Sequence, residues 1–386
     1  MTNQEIAKYM FPLIRAELFG TDVPEELVRE LDTEKIQAIF YLSKFHDLAH
    51  LTGNALSALD VLDEEAEKHF GKYQYLAIYR YQRILHELSV LRGFFEEEKI
   101  PFMPLKGTVL RDYYPDPTQR TSCDIDILIH PEDLERATEA IQKKLSYSIT
   151  FHSTHDTSFA TPSELVIELH YSLYGSEDER TPKMGDVWSF SHVKEGSTYE
   201  YVMDMAFFYG YFITHAAKHF HNGGCGIRTF IDIAVMKRLL PYDRALAEEL
   251  LAKAGVLEFS RYCDKLASYW FLGEEADEVV LTMEEFVLRG GTFGCIESHV
   301  ASVYRTNNWF VYAVKRLFPP VSNLARHYPV LKKAAILYPV YLVVHWCDVL
   351  FSGRAKHAAR HVKAVKNGDR EKNRRYAEMH KTLHLE

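Results

Sequence analysis

The chemistry-bearing residues of this chain gather in one stretch, LKGTVLRDYYPDPTQRTSCDIDILIH, residues 105–130. Its end is apolar and β-branched like a buried strand, yet Asp124 and Asp126 stand inside it with Ile125 between them. Side chains alternate along a strand. The two carboxylates therefore share one face, about 7 Å apart, while Ile125, Ile127 and Ile129 take the other. Like charges on a buried face repel and are costly to desolvate, so the pair calls for a positive partner. A divalent cation fits: Mg²⁺ is commonly held by one or two carboxylates together with substrate phosphates.

The anion-binding half of such a site lies just upstream. Lys106-Gly107 ends the extended run IPFMPLKG and opens GTVLRDYY, which reads as a helix starting directly after the glycine. Backbone N–H groups at that turn suit a phosphate, glycine permits close approach, and Lys106 adds a point charge. Phosphate at the turn and metal at the strand meet on one face, as a nucleoside triphosphate with Mg²⁺ requires. A third carboxylate completes a two-metal site. In SELVIELHYSL, Glu168 shares a strand face with His170 and can lie beside the aspartates. Glu164 has the same parity but opens the strand, and Asp156 sits in the turn-like STHDTS, so Glu168 is preferred over both.

The remaining polar residues read less sharply. Arg120 either contacts phosphate or braces the Asp pair. His170 reads as filling the sheet face rather than orienting Glu168. His215 and His219 have the i, i+4 spacing of metal ligands; with no acid motif following, they read as a polar helix face toward the cleft. Lys218 and Arg228 read as nucleotide or acceptor contacts.

The surrounding periodicity supplies the elements that must position these groups. Residues 1–98 are helical by three- and four-residue apolar spacing, notably in EIAKYMFPLIRAELF, TEKIQAIFYLSKFHDLAHL and a long segment up to Glu98. Residues 99–200 form a mixed block: the CDIDILIH strand, a helix opened by Pro131, and three alternating runs that read as an antiparallel meander. Helices return over 201–320 and complete the cleft, and 321–386 is a helical segment with a basic tail. The apolar run 334–351 is broken by Pro339, His345 and Asp348, so it reads as a buried helix rather than a membrane span.

Composition bounds the function. Formal net charge is −9, which argues against a general nucleic-acid coater. The tail from 352 holds ten Lys/Arg, among them Arg354, Lys356, Arg360, Lys363, Arg374 and Arg375, against four acids. Its cations are interleaved with His, Glu and Asp and lack an aromatic array for stacking bases, so it reads as a helix packed on the acidic body. Five scattered cysteines without metal spacing, and an N-terminus without a continuous apolar run, place the chain in the cytoplasm.

Residues 99 to about 220 resemble the DNA polymerase beta-like nucleotidyltransferase superfamily. More narrowly, they resemble its bacterial branch with the pattern LKG, helix, YP, R-x₃-DID-L/I-L and D/E-L-H. The matching residues are Leu105-Lys106-Gly107, Tyr114-Pro115, Arg120, Asp124-Ile125-Asp126-Ile127-Leu128 and Glu168-Leu169-His170. Looser matches follow at His215, Lys218 and His219, at Arg228 and Asp232, and at Gly290 to Gly294. Lys-Gly stands where the superfamily usually has Gly-Ser or Gly-Gly.

The resemblance implies an α/β (α+β) fold with a mixed palm-like sheet between helical blocks, and Mg²⁺-dependent transfer of NMP from an NTP such as ATP. Asp124 and Asp126 would hold both metals and Glu168 the second, with Lys106 and Gly107 on the pyrophosphate. The acceptor stays open among small molecules, peptides and proteins, and nucleic acid is disfavoured.

Overall fold

The computed structural model describes residues 1–175, 178–296, 298, 309–351, 360, 362–364, 366 and 369–385. Five helices come first: α1 (Asn3–Phe19), α2 (Glu25–Glu30), α3 (Thr33–Phe45), α4 (Ala49–Ala58) and α5 (Glu64–Glu98). Local chemistry sets their ends. Thr2 and Glu5 form a capping box at the start of α1, and Gly20 closes it in the left-handed region. Asp32 caps α3, one residue before the threonine where periodicity begins. The run TEKIQAIFYLSKFHDLAHL, one helix by its spacing, is two, because Asp47 adopts φ +56° between α3 and α4.

Helix α5 joins the two cores of the molecule. Thirty-five residues at 1.5 Å each carry it about 50 Å. Its first half buries Phe70 among α1, α3 and α4; its second half lays Ile84, Leu88, Leu91 and Phe95 under a sheet.

That sheet has five strands: β1 (Phe102–Pro104), β2 (Asp124–Ile129), β3 (Ser148–His152), β4 (Asp156–Ala160) and β5 (Val166–His170). Their order is β1-β2-β5-β4-β3; β2 and β5 run parallel and the other pairs antiparallel. GTVLRDYY gives only a four-residue helix α6 (Gly107–Leu110) and a single 3₁₀ turn, because Pro115 and Pro117 stop it. Helix α7 (Leu134–Ala140) follows β2. Ile125, Ile127, Ile129, Ile167, Leu169 and Phe159 turn one way, onto α5 and α7. The opposite face therefore carries Asp124, Asp126, Glu168, His170, Asp156 and Ser158. A hairpin of β6 (Ser191–Val193) and β7 (Tyr201–Met203), not foreseen from the sequence, extends the β1 edge.

Five helices complete the main core against the polar face and the N-terminal helices: α8 (Met205–His221), α9 (Ile227–Leu239), α10 (Arg244–Ala254), α11 (Leu257–Leu272) and α12 (Glu278–Gly290). Helices α13 (Trp309–Leu317), α14 (Val321–His327) and α15 (Tyr338–Phe351) lie outside it, around a small cluster of Leu324, Ala325, Leu331 and Leu342. Here the expectation of a buried apolar helix fails. Most of α15 faces outward, Phe351 being 89% exposed, because that cluster is too small to cover it. Among the described residues no helix is long and apolar enough to cross a membrane.

The chain then returns to the main core. Helix α16 (Arg370–Thr382) buries Tyr376 and Met379 against α12, with Lys372 and Arg375 paired to Glu285. Arg360 and Lys363 precede it, and Arg354 and Lys356 lie outside the described residues.

Candidate active site

The site is built on the β2–β5 register. Parallel pairing sets Asp126 opposite Glu168 and Leu128 opposite His170, with Asp124 opposite Val166 at the open end. Glu168 is thus the third acid beside the pair. Glu164 is exposed in the turn before β5 with φ +61°, and Asp156 lies across from His170 on β4.

The Asp126 carboxylate, 5% exposed, accepts from both Lys106 Nζ and His170 Nε2 at Oδ1, each at 2.9 Å. His170 Nε2 also lies 3.4 Å from Glu168 Oε2. His170 therefore bridges the two acids, which corrects its reading as filler of the sheet face. One ligand atom each from Asp126, Glu168 and His170 falls within 4.8 Å of the others.

Charge is unevenly shared among these groups. Burial would raise the Asp126 carboxyl, but the Lys106 ammonium and the bond from His170 hold it well below the usual range. Asp124 goes the other way: burial first, then the charges of Asp126 and Glu168, push it up. Burial would lower His170, yet its bonds to Asp126 and Glu168 raise it.

Helix α8 closes the site from above the sheet and supplies one group not singled out from sequence, Tyr211. Tyr211 is buried near Lys106, Asp126 and Glu168, and its phenol is pushed up to about 12, chiefly by burial. His215 is held well below its ordinary value by burial and by Lys106, and its Nε2 meets His219 Nε2 at 3.0 Å. Only the i, i+4 histidines hinted at this face of α8.

The loop leading into β2 is held by a second set of charges. Arg120 forms a bidentate pair with Asp232 of α9 (Nε–Oδ1 and Nη2–Oδ2, both 2.9 Å), and Tyr114 donates to the same carboxylate at 2.6 Å. Arg120 is thus paired with α9 rather than directly with Asp124 or Asp126, and it braces the loop that leads to them. Gly107 fits the same purpose, since a Cβ there would collide with the Arg120 guanidinium. Arg228 is likewise engaged, with Asp47 at 2.5 Å and Thr121 at 3.0 Å, while Arg80 takes the other Asp47 oxygen at 2.9 Å. Lys218 lines a cavity of about 460 Å³ with Asp178, Arg180, Lys183 and His221; none of the three carboxylates borders it.

Lys106 itself adopts φ +46°, a conformation that L residues rarely hold and that costs on the order of 1–3 kcal/mol. It is fixed between Leu105, whose N–H bonds Asp126 O at 3.0 Å, and the first turn of α6.

A family model described as "Uncharacterised nucleotidyltransferase" matches residues 32–272, more than half of the chain. The chain belongs to this family. The match spans the whole sheet, the loop with Tyr114 and Arg120, and helices α8 to α11, so every group of the candidate site described above falls inside it. No curated protein matches. Among solved structures, the Thermotoga maritima CCA-adding enzyme complexed with tRNA_CCA aligns over 80% of this chain and 84% of its own, at 14% identity and a TM-score of 0.28. The mixed sheet set between helices is the α/β architecture expected of a nucleotidyltransferase.

Proposed function

We propose that this chain transfers NMP from a nucleoside triphosphate to an acceptor hydroxyl or phosphate, with Asp124, Asp126 and Glu168 holding Mg²⁺. The observation that carries this reading is the β2–β5 register, which gathers three carboxylates on one polar face beneath α8. These residues fit a hard dication: all three offer oxygen, and the raised Asp124 carboxyl marks excess negative charge that a cation would offset. When bound, the metal supplies charge neutralisation at the phosphate and a lowered pKa for an acceptor hydroxyl.

The chain's own groups supply the rest. Glu168, whose side chain is 32% exposed, can receive the acceptor's proton. The acceptor oxygen bonds to the α-phosphorus as the bond to the β-phosphate oxygen breaks, and pyrophosphate leaves. Lys106 moves from Asp126 to that leaving group. Tyr211, kept protonated by burial, is available as a hydrogen-bond donor rather than as a base. Arg120, Tyr114 and Asp232 keep the β2 loop in register without touching substrate.

A nucleotide binder without turnover is the second reading, favoured by the occupation of Asp126 Oδ1 by both Lys106 and His170. The deciding experiment incubates the protein with α-labelled NTPs, Mg²⁺ and cell extract. Transfer of label to an acceptor, lost in Asp126→Asn, is expected. Mg²⁺-dependent stabilisation by NTP without any transfer would favour the binder and overturn the enzyme.

A further inference from the structure

We propose that His155, Asp156 and His170 form a second cation site, for zinc or a zinc-like transition metal, on the β4 side of β5 and beside the carboxylate site, with which it shares His170. One ring nitrogen from each histidine and one Asp156 oxygen lie within 4.8 Å of one another, the spread of donors around a single ion. The register makes this geometric: Asp156 of β4 pairs directly with His170 of β5, and His155 is the last residue of the turn before β4. Two imidazoles and one carboxylate are the donor set of zinc, not of magnesium, which prefers oxygen throughout.

His170 supplies the independent observation. It is 4% exposed, and its Nδ1 has no hydrogen-bond partner among the described residues. Its Nε2 is engaged toward β2 at Asp126, so Nδ1 is the nitrogen left for the second group. A buried imidazole nitrogen without a partner is costly, and a metal ion would satisfy it. Metal-bound histidines usually donate their other N–H to a carboxylate, as His170 does to Asp126. His155 is prepared in the same way: its Nδ1 is 3.1 Å from Ser153 Oγ, and its Nε2 faces Asp156 Oδ1 at 3.5 Å. Ser153 also bonds Asp156, and Ser158 Oγ meets the other Asp156 oxygen at 3.4 Å. Three protein donors leave a fourth position open to water or a substrate heteroatom.

The site would set the tautomer of His170. A metal on Nδ1 displaces any proton there and fixes Nε2–H as the donor to Asp126, so zinc would orient a carboxylate of the neighbouring site.

The test reads metal content and is independent of transfer activity. Chelator-stripped protein is equilibrated with Zn²⁺ in excess Mg²⁺, which occupies oxygen-only sites, and zinc per chain is measured by elemental mass spectrometry. One zinc per chain is expected, with affinity falling at least tenfold in His155→Ala and in Asp156→Asn. Co²⁺ in place of zinc should give the visible bands of a tetrahedral nitrogen–oxygen site, lost in both variants. Melting curves in chelator confirm that the variants fold, and Mg²⁺-dependent nucleotide binding should persist in them. Absence of zinc binding by the wild-type protein overturns the proposal. So does unchanged affinity in both folded variants, which would place the ion on Asp126, Glu168 and His170.

Discussion

Arg120 and Asp126 are both buried charges, six residues apart, but their surroundings follow opposite plans. Around Arg120 the partners match: a bidentate guanidinium–carboxylate pair, a tyrosine on the same acid, and nearby Asp47 taking Arg80, Arg228 and Thr121. On the sheet face they do not. One oxygen of Asp126 takes two donors, Asp124 is crowded by two acids, and His170 leaves a nitrogen unpaired among the described residues. A satisfied network fixes geometry; an unsatisfied one, held in place by the first, is where a ligand has something to gain.

The largest effect expected from breaking this division is on catalysis. Asp126→Asn should lower label transfer on the order of 10⁴-fold, about 5 kcal/mol in barrier, by removing a metal ligand. Next is the brace. Arg120→Ala leaves Asp232 buried beside Tyr114 without its cation and should cost about 3–5 kcal/mol in urea unfolding, with binding affected only through lost fold. An Arg120→Ala variant of wild-type stability with weakened NTP binding would instead place this residue on the phosphates.

A third effect comes from His50, whose Nε2 meets Gln119 O at 2.9 Å inside the brace. Burial depresses its pKa from 6.5 to about 4, and His46 is depressed to the same value for the same cause. Their folded forms stay neutral while the unfolded chain protonates. Stability should therefore be constant above pH 6.5 and fall as pH drops toward 4, by about 3 kcal/mol for each histidine. His50→Gln should flatten this slope in denaturation measured across that range.

Lys106→Ala should weaken NTP binding about tenfold more than NMP binding, roughly 1.4 kcal/mol, in titration calorimetry. Equal losses would keep Lys106 off the β- and γ-phosphates. The smallest effect distinguishes the two aspartates in metal-free protein. Asp124→Asn relieves repulsion and should raise the melting temperature slightly, whereas Asp126→Asn strands Lys106 and should lower it.

The unsatisfied half of this comparison was far more legible in the sequence than the satisfied half. Asp124, Asp126 and Glu168 stand out because strand alternation is local, and carboxylates sharing one face of an apolar strand call for a partner. Parity alone left Glu164 open, and the turn that removes it is visible only in three dimensions. Arg120 and Asp232 are 112 residues apart, and nothing in either neighbourhood encodes the other. His170 read as filler because its two acids come from different strands. The exposure of α15 was missed for a related reason: hydropathy reports what a helix would bury, not whether a core exists to receive it.

Helix α12 has a consequence for how the molecule is made. Its outer surface is closed from two distant parts of the chain: Asn3 donates to Leu288 O, and α16 packs Tyr376 and His380 edge-to-face against Phe286. On the ribosome, α12 emerges long before residues 376–385, and until they follow, the side of Phe286 turned away from Phe220 stays open. Closing such long loops is slow, and an apolar surface left waiting invites association between nascent chains. Nascent chains of this protein should therefore depend on chaperones until residues 376–385 have emerged, and ribosomes stalled within residues 291–369 should yield a product that aggregates although its entire sheet has already been synthesised.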